Sequence, residues 1–533
     1  MSSRASLLLL SLALPALALP VGAGDAANRG TDGLRLSLSA DELLAHRPFE
    51  DAAVAEQALS LEEAVARALE NNRGLRAERL RTAIAGTFEA QERAVFDPAL
   101  FADMEISRDQ TVRLLEEVED TDEVASTRRV GAVGLTQSLP TGTDLELSVR
   151  GQRRTSSRVD QTQYDTRAGV TLTQALLRGG RIESNLVRLR QAGLDVEASE
   201  YEVRGFIEQL VRDVETAYWD LVLAGARVEI FDEALEVARR QLDETERRIA
   251  VGDRPETEAI AARAEVALRR QGLIDARSER ARAQDRLARL VQKDGALWGT
   301  HLEPTSEPAL ERYALEPADT YMALARAHRA DLNETRLRAR RDELEVIRTR
   351  NGLLPRLDFF VTLGQSGYAD SFSRTLRDRP GDGYDLAAGL RFEMPIGNRA
   401  ADAQFTRARL TRQQIHETLA NMEQLAIEDV RARWIDSART REQVRAREET
   451  VELQEELLRV EQARFRVGTG TALAVAQAQR DLLESRLGLM ETVVRFRQLG
   501  TDLLQASGTL LLHRGIDAPG SEPVELRLQG NAG

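Results

Sequence analysis

The side chains that most often carry out chemistry are sparse and scattered in this sequence. There is no cysteine, one lysine (Lys293), and five histidines that never show the His-Glu-x-x-His spacing of a zinc hydrolase. No Gly-x-Ser-x-Gly elbow occurs, and no phosphate-binding glycine loop precedes Lys293. The sequence therefore predicts neither an enzyme nor a metal or cofactor site. A periplasmic hydrolase would need a clustered set of catalytic residues, and the sequence shows none.

Two similar glycine turns are the most distinctive local feature. The first reads Arg-Ile-Ala-Val-Gly-Asp over 248–253, and the second reads Arg-Phe-Arg-Val-Gly-Thr over 464–469. Glycine at such a place favours the left-handed conformation that ends a helix, and Asp253 or Thr469 is expected to cap the helix that follows. We therefore expect the chain to reverse direction twice, at positions 216 residues apart.

Long proline-free intervals predict the helices that these turns join. A helical apolar stripe runs through 182–250, and the second interval repeats it over about 399–466. Each helix would be about 100 Å long at 1.5 Å per residue. Return helices are expected over about 255–291 and 471–506. Each half also begins with a shorter helix, one from a capping box at Ser60 and Glu63 to before Pro98, the other over about 318–351.

Equivalent landmarks in the two halves indicate an internal duplication. Leu75 and Leu332 lie 257 residues apart, whereas the Gly179 and Gly397 turns lie 218 apart. The first half therefore carries about 40 extra residues between Pro98 and Gly179. Repeats of this length imply two structurally equivalent units.

Segments that alternate apolar and polar residues lie between each short helix and each long one. The second half has two, within 356–394, and the first half has four, within about 99–174: 101–108, 129–137, 144–150 and 167–174. We interpret 109–127 and 151–166 as long loops. The alternation fits either a half-buried sheet or a barrel wall with lipid outside and water inside. Six strands cannot close a membrane barrel, so a barrel would require several copies.

Composition and the N-terminus bound the function further. Residues 1–23 resemble a cleaved signal peptide. The formal net charge of −14 argues against nucleic-acid binding, and no later segment is apolar enough for a transmembrane helix. With 30% charged and 4% aromatic residues, the chain suits long, thin helical packing better than thick globular cores.

Several stretches together resemble the TolC-like outer-membrane efflux proteins, also called outer membrane factors. They are Leu61-Glu-Glu-Ala-Val-Ala-Arg-Ala-Leu-Glu-Asn-Asn72, Leu172-Thr-Gln-Ala-Leu-Leu-Arg-Gly-Gly180, the paired Val-Gly turns and Met394-Pro-Ile-Gly397. The resemblance covers about residues 58–510. It implies a mainly α protein with a membrane β-barrel: a homotrimer in the outer membrane, with an α-helical tunnel in the periplasm. It also implies docking to a periplasmic adaptor (membrane fusion) protein and an inner-membrane pump.

The resemblance assigns roles to particular residues. The periplasmic tip and adaptor-docking turns would be Val251, Gly252, Asp253, Val467, Gly468 and Thr469. The candidate pore constriction comprises Phe465, Gly470, Ala474, Gln477 and Glu258. We expect Phe465 and Gln477 to line the constriction and Asp253 and Glu258 to lie on the outer helix pair. Ala474 and Gln477 stand where some members carry aspartates, which leaves an acidic gate in doubt.

The expected domain organisation follows from these assignments. It comprises the signal peptide (1–23), an N-terminal equatorial linker (24–57), the first repeat (58–292), an inter-repeat linker (293–317), the second repeat (318–508) and a C-terminal tail (509–533). The expected function is the passive outer-membrane exit duct of an efflux or type I secretion system, carrying small molecules or proteins. The alternative is a periplasmic coiled-coil adaptor or scaffold without a pore. Three copies would give an eighteen-stranded barrel, or twelve if 99–127 forms loop.

Overall fold

The structure is a computed structural model that describes residues 55–115, 120–157, 159–252, 255–292, 300–307, 315–369 and 383–525. The predicted signal peptide, Asp253, and parts of both predicted linkers and of the C-terminal tail lie outside these residues. In chain order the elements are β1 (Ala55–Leu59), α1 (Leu61–Asn71), α2 (Arg73–Ala94), β2 (Ala99–Leu115), β3 (Asp120–Leu139), β4 (Thr143–Ser156), β5 (Val159–Ala175), α3 (Ile182–Asn185), α4 (Val187–Ala250), α5 (Thr257–Val291), β6 (Thr300–Pro304), α6 (Ala318–His328), α7 (Ala330–Gly352), β7 (Arg356–Ala369), β8 (Tyr384–Glu393), α8 (Arg399–Arg466), α9 (Ala472–Ala506) and α10 (Leu510–Arg514).

Two helical hairpins dominate the described residues. Helix α4 has 64 residues and α8 has 68, so each is about 100 Å long. Each packs along its return helix, α5 or α9. Gly252 and Gly468 end the long helices with φ angles of +79° and +83°, which a glycine adopts without a steric penalty. No helix among the described residues is both long and apolar enough to cross a bilayer.

Each short helix predicted from the sequence is in fact two helices. The first breaks at Asn72 and the second at Arg329, where ψ is 121° and 126°. The two breaks are 257 residues apart, the same offset that separates Leu75 from Leu332. At the first break the Asn72 side chain accepts a hydrogen bond from the Leu75 amide at 3.0 Å and so caps α2. The break is therefore a feature that both repeats share.

Two smaller expectations about the hairpins were also wrong. The first long helix begins at Val187 rather than at 182, because Leu186 separates it from the single helical turn α3. The cap of the second return helix is Thr471 rather than Thr469, since the Thr471 hydroxyl accepts from the Ala474 amide at 3.2 Å. Thr469 instead donates its amide to the Arg464 carbonyl and closes the end of α8.

Polar rungs join the two hairpins along the antiparallel seam of α4 and α9. Because the two helices are antiparallel, residue numbers rise along α4 as they fall along α9 from one rung to the next. The rungs are Gln209 with Gln505, Arg212 with Asp502, Glu215 with Thr501, Asp220 with Gln498, Arg227 with Glu491, and Glu233 with Arg486. The seam holds the return helix of the second repeat against the long helix of the first.

Six strands form one antiparallel sheet in the order β2-β3-β4-β5-β7-β8. Strands β5 and β7 pair directly, so one sheet contains strands of both repeats. The predicted loops at 109–127 and 151–166 were wrong, since β2, β3, β4 and β5 continue through most of both segments. The tight turn at 140–142 sets the register of β3 and β4, and pairing then continues residue by residue from Leu139–Thr143 to Ser126–Ser156. The reading of 99–127 as loop is therefore also wrong.

The core lies around the middle of α4. A buried stripe of α4 at helical spacing packs against α1 and the short C-terminal helix α10; its members include Val203, Ile207, Leu210, Val214, Tyr218 and Leu221. Beside it, β1 and β6 form a two-stranded parallel sheet. The Tyr218 hydroxyl donates to the Leu59 carbonyl at 3.0 Å, which ties that small sheet to α4.

Candidate functional site

The large sheet has one face that is apolar across all six strands. Because neighbouring residues alternate between faces, the register places the apolar side chains in continuous rows. One row comprises Leu100, Leu135, Leu147, Val170, Leu363 and Leu386. Most of these leucines and valines are exposed in the single chain. Such a continuous apolar surface needs a partner other than water.

The opposite face of the same sheet is polar and charged. It carries Asp103, Glu105, Glu146, Arg150, Arg154, Arg167, Asp385 and Arg391. Arg167 and Asp385 form an ion pair across β5, β7 and β8, which links the two repeats on this face. A sheet with one apolar and one charged face has the pattern of a membrane-barrel wall.

Glycines on the polar face make room for two aromatic rings. A Cβ added at Gly134 would lie 2.5 Å from the Phe101 ring, and one at Gly389 would lie 2.8 Å from the Phe360 ring. Each ring therefore covers a glycine on the adjacent strand, which helps to fix the strand register.

The two edge strands of the sheet, β2 and β8, each have only one neighbour among the described residues. Strands of this length with a free edge readily pair with another chain. The sheet therefore has two edges that further copies could join.

At the end of the hairpins that is away from the sheet, each long helix ends in an exposed turn. Val251 and Val467 are 79% and 73% exposed, beside Gly252 and Gly468 respectively. The turns have matching geometry, since each glycine amide donates to a carbonyl three residues earlier. Each hairpin thus presents an apolar side chain on a rigid turn.

Phe465 does not project into open space in the chain. Its ring is 6% exposed, and the Arg248 guanidinium lies 5.1 Å from the ring centroid. Arg248 also pairs with Glu244 at 2.8 Å on α4. The aromatic side chain expected at the constriction therefore bridges the two hairpins by a cation–π contact within one chain.

The other candidate constriction residues fall into two groups. Gln477 is exposed on α9, and Gly470 and Ala474 are partly exposed on the same hairpin end. Glu258 instead lines a cavity of about 300 Å³ between the hairpins, together with Thr245, Thr471 and Arg480. The structure therefore brings Gly470, Ala474 and Gln477 together and places Glu258 between the two hairpins.

Among the described residues, no cluster of three or more histidine, aspartate or glutamate side chains could hold a metal ion. The polar groups instead form ion pairs and hydrogen bonds between helices. What the arrangement offers is a two-faced wall and a long helical extension, the architecture of a channel that crosses an outer membrane and continues into the periplasm.

Comparison with known families places the chain. The family model of outer membrane efflux proteins matches residues 64–291 and 322–509. The chain therefore belongs to the outer membrane efflux protein family, whose members are transport ducts rather than enzymes. Its two matched stretches fall in the two tandem repeats. A comparison with curated protein sequences found no match.

Solved structures share the fold. The CmeC outer membrane channel of Campylobacter jejuni aligns with a TM-score of 0.63 at 16% identity, covering 84% of this chain and 86% of that one. The outer membrane protein VceC of Vibrio cholerae gives 0.60 at 18%, covering 84% and 96%. The open-state MtrE outer membrane channel of Neisseria gonorrhoeae gives 0.59 at 17%, covering 84% and 89%. At these identities the likeness establishes the fold alone.

These findings confirm the expected class. The chain is a TolC-like outer-membrane channel of efflux systems, with its helical hairpins in the periplasm. Nothing in the comparisons supports the alternative of a periplasmic adaptor or scaffold without a pore. Sequence reasoning missed Arg248 as the partner of Phe465, although both residues lie in the paired turn motifs that it singled out.

Proposed function

We propose that this chain forms the passive exit duct of a tripartite efflux system, as a homotrimer that docks to a periplasmic adaptor and an inner-membrane pump. The observation that best supports this proposal is the sheet with one apolar and one charged face, which is continuous in sequence with two hairpins about 100 Å long. Members of the family are trimers and act with an adaptor and a pump. The proposed cargo class extends from small molecules to exported proteins, since the wall of a duct need not recognise what passes through it.

The height of the apolar band supports the outward orientation of the apolar face. The register aligns Met104, at one end of the apolar band, with Gly367 of β7, and aligns Phe392, at the other end, with Leu357 of β7. Ten residues of β7 therefore separate the two ends of the band. At about 3.3 Å per residue and a tilt near 40° this band is about 25 Å tall. Outer-membrane barrels present an apolar band of about that height to lipid.

A difference between the two repeats supports assembly with other copies. Helix α7 packs between α4 and α8, whereas its equivalent α2 packs on α4 and makes no comparable contact with α8 in the described residues. As a result Leu80 is 62% exposed, while its repeat equivalent Leu337 is 1% exposed. Ile84 and Phe88 continue the exposed stripe of α2. We infer that α8 of a neighbouring copy covers this stripe.

Three copies of a six-stranded sheet would close an eighteen-stranded barrel by pairing β2 of one copy with β8 of the next. At a strand spacing of about 4.8 Å and a tilt near 40°, its backbone diameter would be about 36 Å, against about 24 Å for twelve strands. The additional β2 and β3 hairpin therefore widens the exit.

The opposite end then carries the constriction and the docking surface. We assign adaptor docking to the turns at Val251–Gly252 and Val467–Gly468, with Asp253 and Thr469 beside them. The exposed apolar valines support this assignment. We keep Gly470, Ala474 and Gln477 as candidate pore-lining residues. Phe465 contacts Arg248 of the other hairpin, and Glu258 lines the cavity between the hairpins.

The decisive experiment combines extraction and conductance. The full chain, expressed with its own N-terminus, is expected to fractionate with outer membranes, to migrate as a trimer in mild detergent and to form discrete pores in planar bilayers. A water-soluble monomer without conductance would overturn the proposal. A trimer that inserts without conductance would point to a structural scaffold instead.

A further inference from the structure

Three arginines lie on the apolar face of the sheet, immediately beyond the apolar band. Arg129 of β3 and Arg153 of β4 are directly opposite one another in the register. Arg108 of β2 pairs with Thr127, one row further from the helices, and so lies diagonally next to Arg129. Parity puts all three on the face of Leu100 and Val133, and all three are exposed.

These arginines have no acidic neighbour among the described side chains of their two rows. The residues paired in register with them in these rows are Ile106, Thr127, Thr155, Tyr164 and Ala369. The Arg153 guanidinium lies 5.6 Å from the centroid of the Tyr164 ring, which holds it against the wall by a cation–π contact. Within the described part of these two rows, the positive charges of the cluster therefore have no carboxylate beside them.

The opposite face offers a direct contrast within the same two strands. Arg128 and Arg154 are also directly opposite one another, but they point to the polar face. There Asp165 interacts electrostatically with Arg154, Arg150 and Arg128. One face thus supplies a carboxylate to its arginines, whereas the other leaves a place for an external anion.

Like charges that face one another across a strand pair destabilise a sheet. An anion with several oxygens removes this repulsion, because each guanidinium can donate two parallel hydrogen bonds to it. Phosphate fits this geometry better than a monovalent inorganic anion, and arginine is better suited than lysine to such a fork. The pairing of Arg129 with Arg153 therefore has the chemistry of a phosphate clamp.

The level of the cluster identifies the source of the phosphate. Arg129 and Arg153 align with Ala369, two residues beyond the level of Gly367 that ends the apolar band. This level lies twelve residues of β7 beyond Leu357, which is about 30 Å above the helix-side end of the band, and Tyr164 marks it as a membrane interface. We propose that Arg108, Arg129 and Arg153 bind the phosphate groups of a phosphorylated glycolipid in the outer leaflet. The inference rests on the proposed outward orientation of the apolar face.

The test compares lipid retention by two matched double variants of the purified trimer. Arg129→Gln/Arg153→Gln removes the outward pair, and Arg128→Gln/Arg154→Gln removes the same charge from the same strands on the other face. Each trimer is titrated with diphosphoryl lipid A and with its dephosphorylated analogue, and bound lipid is counted by native mass spectrometry. Inorganic phosphate serves as the competitor, and conductance is recorded for every variant.

We expect the outward variant to bind diphosphoryl lipid A roughly thirtyfold more weakly, about fivefold for each arginine. The control variant should bind it like the unmodified channel, and inorganic phosphate should not compete at equal concentration. Equal retention by both variants would overturn the inference, as would competition by inorganic phosphate at the affinity of the lipid. If the outward variant fails to assemble, the test uses the unmodified channel alone. Binding of the dephosphorylated analogue as tightly as diphosphoryl lipid A would then refute the phosphate site. Loss of lipid preference with conductance intact would leave the proposed function standing, whereas absence of pores in every protein would remove it.

Discussion

The sharpest prediction concerns two leucines at equivalent positions of the two repeats. Leu337 is 1% exposed and packs in a cluster with Ala198, Tyr201 and Ala330, whereas Leu80 is 62% exposed. Leu337→Ala should therefore weaken the fold of the single chain. Leu80→Ala should leave the fold intact and weaken only the association between copies.

The structure sets the size of each effect. Truncating a fully buried leucine costs about 2–5 kcal/mol through lost burial and the cavity left behind. Burying a whole leucine side chain contributes about 1.5–3 kcal/mol, and only the exposed fraction of Leu80 remains to be covered, so each interface should lose about 1–2 kcal/mol. A trimer has three such interfaces. The expected loss of trimer stability from Leu80→Ala is therefore about 3–6 kcal/mol.

Two measurements separate the effects. Circular dichroism at 222 nm during heating reports the helical fold, and native mass spectrometry across a dilution series in detergent reports the fraction of trimer. Leu80→Ala should shift the trimer population without changing the helical signal at room temperature, and Leu337→Ala should lower the melting temperature. If Leu80→Ala left the trimer population unchanged at every dilution, the inferred contact between α2 and α8 of a neighbouring copy would be wrong.

Three further predictions test the tip, the core and a buried acid. Gln477→Ala should widen the constriction and raise the single-channel conductance; an unchanged pore radius would count against Gln477 as a lining residue. The carboxylate of Glu215 is 0% exposed and accepts hydrogen bonds from the Arg514 guanidinium at 2.6 and 2.7 Å. Arg514→Ala leaves this buried carboxylate without its charged partner and should lower the free energy of unfolding by about 3–5 kcal/mol in a thermal melt. Arg247→Ala, which removes a surface ion pair, should lower it by under about 1 kcal/mol. Burial, partly offset by a neighbouring guanidinium, raises the pKa of Glu208 from 4.5 to about 7. The unfolded chain therefore ionises at lower pH than the folded one, so stability should fall as pH rises from about 4.5 to 7 and level off above it. Glu208→Gln should flatten that slope in unfolding curves recorded across the interval, and an unaltered slope would assign the pH dependence to other groups.

The hairpins were predictable because the information that specifies them is local. A helical stripe without proline, ended by a glycine, contains its own instructions for length and termination. The sequence predicted a first long helix over 182–250, and the structure has it from Val187 to Ala250. The breaks at Asn72 and Arg329 were not predictable, since neither residue is a strong helix breaker. The helix after each break packs on α4, whereas the helix before it packs on α4 in the first repeat and on α8 in the second, so the breaks accompany contacts with distant elements.

The strands were predictable only where their two faces differ. Alternation identified the parts within the apolar band, such as 144–150, but not their extension to Ser156, where polar residues occupy both faces. There the partner strand alone decides the conformation, because hydrogen bonds to a neighbour compensate for the absence of an apolar pattern. Arg153 lies in this extension, whereas its partner Arg129 lies at the start of a strand that the sequence predicted.

The sequence by itself therefore determined the repeated hairpins, the number of strands that each half contributes to the six-stranded sheet and the family to which the chain belongs, since periodicity and turn residues act over a few neighbouring positions. It did not predict β1 and β6. Only the tertiary structure decided that β5 pairs with β7, that Arg129 faces Arg153, and that Leu80 and Leu337 occupy opposite environments. Each of these depends on contacts between residues far apart in the chain. Such contacts are fixed by the register and packing of whole elements, which no local pattern specifies.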